Sequence, residues 1–126
     1  MIHTEKHLIY RFSTMLSTEL LEHPIQTQIM LEFGQRTDMK IWRQNTGVAK
    51  TLDGNRFIRF GVVGCADISG IIKGGIRLEI EVKKRTGKQR EAQKAFQRMI
   101  EDMGGIYIVA RSVEDVYKAL KEHGFY

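Results

Sequence analysis

The chain has little of what marks secreted, zinc-bound or membrane-spanning proteins. Its 126 residues contain one cysteine, Cys65, one proline, Pro24, and one tryptophan, Trp42. A lone thiol forms no internal disulfide and no paired-cysteine zinc site, so covalent staples are excluded and a reducing, cytoplasmic setting is expected. No apolar run approaches the roughly 20 residues needed to cross a bilayer, so no membrane span is expected. The opening MIHTEKHLIYRF has no continuous apolar core and does not read as a secretory signal. Internal repeats and low-complexity stretches are also lacking.

What remains is an ordinary globular composition, 42% hydrophobic and 28% charged, which points to one folded domain over residues 1–126. The formal charge is +5 and the pI about 9.5. A basic balance suits a polyanionic partner such as DNA or RNA, since neutralising phosphates releases counterions. Many basic domains bind nothing in particular, so charge alone does not decide.

Residues 1–17 have no clear period and read as an N-terminal arm or short strand. Ile25, Ile29 and Phe33 share one helical face over Pro24–Phe33, with Pro24 suited to the first turn and Gly34 to the stop. Met39–Arg43 reads as a short strand. Asn45-Thr46-Gly47 and Asp53-Gly54-Asn55 are turn signals. Strands are expected at Phe57–Val63 and Ala66–Ile72, then a Lys73-Gly74-Gly75 turn and a partner strand Ile76–Lys83. In that partner, Leu78, Ile80 and Val82 alternate with Arg77, Glu79, Glu81 and Lys83, which predicts a half-buried strand with a charged face. A helix is expected over Gln89–Met103, with Ala92, Ala95, Phe96, Met99 and Ile100 as its apolar stripe. Gly104-Gly105 ends it, and Ile106–Ala110 reads as a buried strand. Ser112 and Asp115 form a capping box for a last helix whose core face is Val113, Val116, Tyr117 and Leu120. The sum is an α/β fold, a mixed β-sheet flanked by helices.

Chemistry is concentrated in Gly64-Cys65-Ala66-Asp67 and Glu79-Ile80-Glu81-Val82-Lys83. If Ile72 and Ile76 close the turn, Asp67 falls opposite Glu81 and Ser69 opposite Glu79. Facing side chains in a hairpin lie about 4.5–5.5 Å apart at Cβ. Two carboxylates that close repel unless a cation sits between them, and Mg²⁺ or Mn²⁺ suits such a pair. Lys83 projects from the same face as Glu81, where an ammonium can orient a water or stabilise charge on a phosphate. The backbone carbonyl of Val82 offers a further oxygen ligand. A strand of alternating charges is more often a solvated face with weak ion pairs. Asp67 inside an apolar β-run shifts the weight, because strands carry few aspartates.

These residues, read as GCADISGIIKGGIRLEIEVKKRTGKQREAQKAFQ, resemble the VRR-NUC branch of the PD-(D/E)XK nucleases over about residues 22–110. Trp42-Arg43-Gln44-Asn45-Thr46-Gly47, the helix with Gln93, and Gly104-Gly105-Ile106-Tyr107 add to the resemblance. It implies a restriction-endonuclease-like core, Asp67 and Glu81 as metal ligands, Lys83 as the catalytic lysine, and Gln93 as a support for the site or the DNA backbone. An acidic residue on the first helix often joins the metal in this family. Glu22 is the candidate here, with Glu19 and Glu32 as rivals. Ala66 stands where many relatives have proline, which shapes only the backbone. The resemblance further implies a metal-dependent DNA endonuclease of phage or viral type, acting in a bacterial or phage-infected cell. Small relatives act as homodimers on branched DNA such as four-way junctions.

The basic stretch Lys84, Arg85, Lys88, Arg90 and Lys94 is read as a phosphate-tracking patch, against a solvated helix start. Arg43, Arg56 and Arg59 could extend it. Trp42 is read as core rather than as a base-stacking platform, and Cys65 as a small packing group. His3 and His7 could share a helix face as ligands but lie in a terminal segment, while His23 and His123 read as surface residues. Tyr10, Phe12, Phe125 and Tyr126 are candidates for packing across a dimer. Two other functions compete: a non-catalytic nucleic-acid-binding domain, and an interaction subunit of a phage replication or packaging assembly.

Overall fold

Pro24 has no N–H to give, and the first turn of a helix requires none, so α1 (Glu22–Phe33) accommodates it. Gly34 closes this helix, its N–H donating to the Met30 carbonyl at 2.9 Å. The computed structural model describes residues 22–44 and 47–125. The expected arm at 1–17, with His3, His7, Tyr10 and Phe12, lies outside the described residues, as do Glu19, Asn45, Thr46 and Tyr126.

After α1 come β1 (Met39–Arg43), β2 (Gly47–Lys50), β3 (Phe57–Phe60), β4 (Ile68–Ile72), β5 (Ile76–Val82), α2 (Glu91–Asp102), β6 (Ile106–Ala110) and α3 (Val113–Glu122). The main sheet has the order β1-β4-β5-β6, and β2 pairs with β3 in a separate two-stranded ribbon. β4 runs antiparallel to both β1 and β5, whereas β5 and β6 are parallel. A parallel pair needs a crossover, and α2 supplies it. The architecture is therefore the expected α/β one, a mixed sheet flanked by helices. No helix among the described residues is long and apolar enough to cross a membrane.

The crossover decides burial. α1 and α3 cover one face, where Ile29, Phe33, Ile68, Ile72, Leu78, Ile80, Val82, Val116 and Leu120 form the main core. Each such aliphatic side chain contributes about 1.5–3 kcal/mol when fully buried. α2 lies against β6 on the other face, where Ala66, Ile100 and Tyr107 cluster with Phe96 and Val109. β5 is thus covered on both sides: Leu78 through Val82 are all buried. The expectation of a half-buried strand with a solvated charged face is overturned, because a central strand next to a parallel neighbour has a helix layer over each face.

Other boundaries shift for local reasons. β3 stops at Phe60 rather than Val63, since Gly61 turns the chain at φ 84°. β4 begins at Ile68 instead of Ala66, and β5 ends at Val82 instead of Lys83. β2 is a strand that the sequence reading passed over. α2 is shorter than expected and rotated: Gln93 and Ile100 are buried, whereas Ala92, Ala95 and Met99 are exposed. Ser112 caps α3, accepting from the Asp115 N–H at 3.2 Å, but the Asp115 carboxylate takes the Arg111 N–H, so the box is only half closed. Tyr117 is exposed rather than core, though its ring packs on Phe33 at 4.6 Å. Phe125 packs against the protein's own core, not outward.

Candidate active site

The register places the chemistry on the α2 face. Trp42 pairs with Ser69, Ser69 with Glu79, and Glu79 with Tyr107, which makes one row across the sheet. Ile68 pairs with Ile80, so the next residue, Asp67, continues opposite Glu81 as the hairpin predicts. The Asp67 carbonyl accepts the Gln44 N–H at 2.8 Å, which extends the ladder by one bond and holds Asp67 at the strand end.

Asp67 is half-buried, and its Oδ2 accepts the Val82 N–H at 2.7 Å. Burial pushes its carboxyl above the ordinary range, and the charges of Glu22 and Glu81 push the same way. The Val82 N–H and Lys83 pull against them. In an antiparallel ladder a residue donates and accepts on the same side, so the Val82 carbonyl faces the β4 side of β5, as its N–H does.

Glu81 is 0% exposed. Its Oε1 accepts the Tyr107 hydroxyl at 2.6 Å. Oε2 has no hydrogen-bond partner among the described residues. The Lys83 ammonium stands 3.8 Å from it, beyond hydrogen-bonding distance. Burial and Glu81 together raise the Tyr107 phenol far above its ordinary value, so it stays protonated and can only donate to Glu81.

Such a carboxylate is expensive to bury half-satisfied, by several kcal/mol for an uncompensated charge. The chemistry of these donors fits a hard divalent cation, which takes one or two carboxylates and fills its remaining positions with water and phosphate oxygens. Among the described residues no three His, Cys, Asp or Glu side chains are gathered as a ready-made metal cage. Asp67 and Glu81 offer two carboxylates here, short of such a cage.

Glu22 lies close by: its Oε1 accepts the Lys84 N–H at 3.4 Å, and its charge acts on Asp67. Glu32 is not part of the site, since it accepts from the Tyr117 hydroxyl at 2.9 Å and the Gln28 amide at 3.3 Å. Gln93 is buried, and its Oε1 accepts the Arg90 N–H at 2.8 Å, so that oxygen serves the start of α2.

The basic residues Lys84, Arg85, Lys88, Arg90 and Lys94 are exposed around the loop leaving β5. Lys94 is paired with Glu91 at 3.4 Å. The Arg111 guanidinium donates to the Gly87 carbonyl at 2.8 Å and fixes that loop. Arg56 and Arg59 are exposed on the ribbon, while Arg43 turns to Thr27 of α1 at 3.0 Å. His23 and His123 are exposed, as expected. Burial raises the Cys65 thiol, which argues against a reactive thiolate.

Two features were missed by sequence reasoning. Tyr107 holds Glu81, and its signal was a single polar tip inside the apolar run IYIVA. Glu79, expected on a solvated face, is fully buried between the Ser69 hydroxyl at 2.9 Å and Arg77 Nε at 2.7 Å. Trp42, expected in the core, is 41% exposed. The hollow lined by Thr37, Met39, Lys40 and Ile72–Gly75 lies at the turn end of the hairpin, away from Asp67 and Glu81. Comparison with known proteins gives no matching family, curated protein or solved structure.

Proposed function

We propose that the chain is a divalent-metal-dependent DNA endonuclease that hydrolyses phosphodiester bonds, as its resemblance to the VRR-NUC branch implies. The observation that carries this reading is the Glu81 carboxylate, wholly buried, with one oxygen that no described residue hydrogen-bonds and Lys83 3.8 Å from it. A structural ion pair has no reason to leave a buried acceptor unfilled.

In this reading Asp67, Glu81 and the Val82 carbonyl hold Mg²⁺ or Mn²⁺, with Glu22 beside them. A bound cation supplies Lewis-acid polarisation of the phosphate and a more acidic water. The Tyr107 hydroxyl and the Val82 N–H each hold one oxygen of these carboxylates, which leaves the other oxygen of each for the cation. The Lys83 ammonium balances the second charge and stabilises negative charge growing on the scissile phosphate. Lys84, Arg85, Lys88, Arg90 and Lys94 neutralise flanking phosphates, which orients the strand without reading its sequence. Branched DNA as substrate, a homodimeric state and a cytoplasmic setting belong to the same proposal by analogy with the family.

The test uses supercoiled plasmid and a labelled four-way junction, incubated with Mg²⁺, Mn²⁺ or EDTA beside a Lys83→Ala variant. Metal-dependent cutting that the variant loses supports the nuclease, and paired symmetric cuts support a dimer on the junction. Binding without cutting under every metal condition replaces this reading with the non-catalytic one.

A further inference from the structure

The row beneath the catalytic one is built as carefully as the site itself. Glu79 is 0% exposed and both its oxygens are engaged, one by the Ser69 hydroxyl and one by Arg77 Nε. A buried carboxylate that only filled space would be replaced by an apolar side chain at no loss. This one does something else: it clamps the base of the Arg77 guanidinium at 2.7 Å. The clamped guanidinium lies over the Trp42 ring, 5.8 Å from its centroid. Trp42 is 41% exposed and the Arg77 side chain 49% exposed. Among the described residues only Nε of Arg77 is engaged, which leaves both terminal nitrogens able to donate.

The position of this pair is as informative as its construction. Among the described residues α2 packs on β6, and Trp42 and Arg77 stand exposed on that same face of the sheet. Trp42 is level with Ser69, two residues from Asp67, or about 7 Å along the strand. Lys40, exposed on the same face of β1, adds a second cation level with Arg77 through Ile71. An indole and a guanidinium held side by side, cationic at the rim and next to a phosphate-cleaving centre, match the π-face and phosphate of a nucleotide.

We propose that Trp42 and Arg77, with Glu79 as a positioning residue, form a stacking platform for an unpaired nucleotide next to the scissile phosphate. The inference rests on the nuclease reading for its setting and deepens it. A base inside a duplex already has both faces stacked, so the platform selects DNA with an unpaired nucleotide at the cut.

Trp42 is the only tryptophan in the chain, so its emission reports the platform directly. The intact protein, held in EDTA to prevent cleavage, is titrated with a short oligothymidylate and with a fully paired duplex of equal length. Binding is followed in parallel by anisotropy of an end-labelled probe. The expected result is quenching of Trp42 by the oligothymidylate and not by the duplex. Trp42→Ala should weaken oligothymidylate binding roughly tenfold, with Trp42→Phe restoring most of it. Glu79→Gln should reduce the quenching at saturation, a readout that a merely structural role would not move. An unchanged emission while anisotropy reports binding overturns the platform, as does a Trp42→Ala affinity within about twofold of the parent. Absence of any oligothymidylate binding overturns it too. The two proposals separate cleanly: a protein that is quenched but never cuts DNA keeps the platform and loses the nuclease, and a cutting enzyme with a silent Trp42 does the reverse.

Discussion

The Tyr107 hydroxyl donates to one oxygen of Glu81 at 2.6 Å, while the other oxygen of that wholly buried carboxylate has no donor among the described residues. The two residues lie on parallel neighbouring strands, two positions apart in register. Tyr107 is level with Glu79 and reaches forward along the sheet to Glu81. A phenol that burial keeps protonated makes this a fixed donor, so the carboxylate is held by one oxygen and presents the other.

Tyr107→Phe isolates that hold. The ring keeps its packing, including the edge contact with Phe96 at 6.3 Å between centroids. Only the hydroxyl goes, and Glu81 loses the one side-chain hydrogen bond it has among the described residues. Denaturant titration in EDTA should show a loss of about 1–3 kcal/mol. Metal-dependent cleavage should fall by about tenfold or more, as expected when a preorganised group is freed to move. A variant as stable and as active as the parent would mean that this bond does not position Glu81.

Glu81→Gln tests the cation itself through stability. In EDTA the parent carries an incompletely satisfied buried charge, and the amide removes it. The variant should therefore melt no lower than the parent and cut no DNA. Mg²⁺ at about a hundred times its dissociation constant should stabilise the parent by about 2.7 kcal/mol. The variant should gain almost none of this. If Mg²⁺ stabilises both equally, the ion binds elsewhere and Asp67 with Glu81 is not its site.

The pH dependence follows from Asp67. Burial, with Glu22 and Glu81, raises its folded-state pKa above the ordinary 3.8. Between those two values the folded protein holds a proton that the unfolded chain has lost, so stability falls as pH rises. The contribution is fully present below 3.8 and is gone once pH passes the raised value. Asp67→Asn keeps an acceptor for the Val82 N–H and removes the titration. In EDTA, the stability of the parent relative to this variant should fall across that window. With Mg²⁺ present the slope should reverse, because the cation binds the ionised carboxylate. A difference that stays flat with pH in EDTA refutes the assignment of a raised pKa to Asp67.

How much of this was legible in the sequence depended on whether a local rule governed it. The hairpin through Lys73-Gly74-Gly75 fixes the register by counting, and that alone set Asp67 opposite Glu81 and Ser69 opposite Glu79. The helix signals at Pro24, Gly34 and Ser112 are equally local. What counting could not supply was the second covering layer. Alternation in β5 reads the same whether its charged face meets water or a covering layer, so the full burial of Glu79 and Glu81 is not legible in it. The same ignorance of where α2 lies put Trp42 in the core and chose Ala92, Ala95 and Met99 as the helix stripe. Tyr107 was hidden for a related reason: its partner is reached across a parallel pairing, which no turn announces.

The loop that delivers Asp67 offers the sharpest backbone test. Gly64 has φ +81°, and a Cβ built there would overlap the Ala92 carbonyl in the first turn of α2. Gly64→Ala must therefore adopt an unfavourable backbone and also push the helix away from the strand end that carries Asp67. Gly74, in the hairpin turn, has φ +103° with open space around it. Gly74→Ala meets the backbone penalty alone, about 1 kcal/mol. Denaturation should therefore show a larger loss for Gly64→Ala than for Gly74→Ala. Cleavage should be impaired in the first and intact in the second, since only the first displaces the segment that carries Asp67. Equal losses of stability with cleavage intact in both would mean that the contact between Gly64 and Ala92 plays no part in placing Asp67.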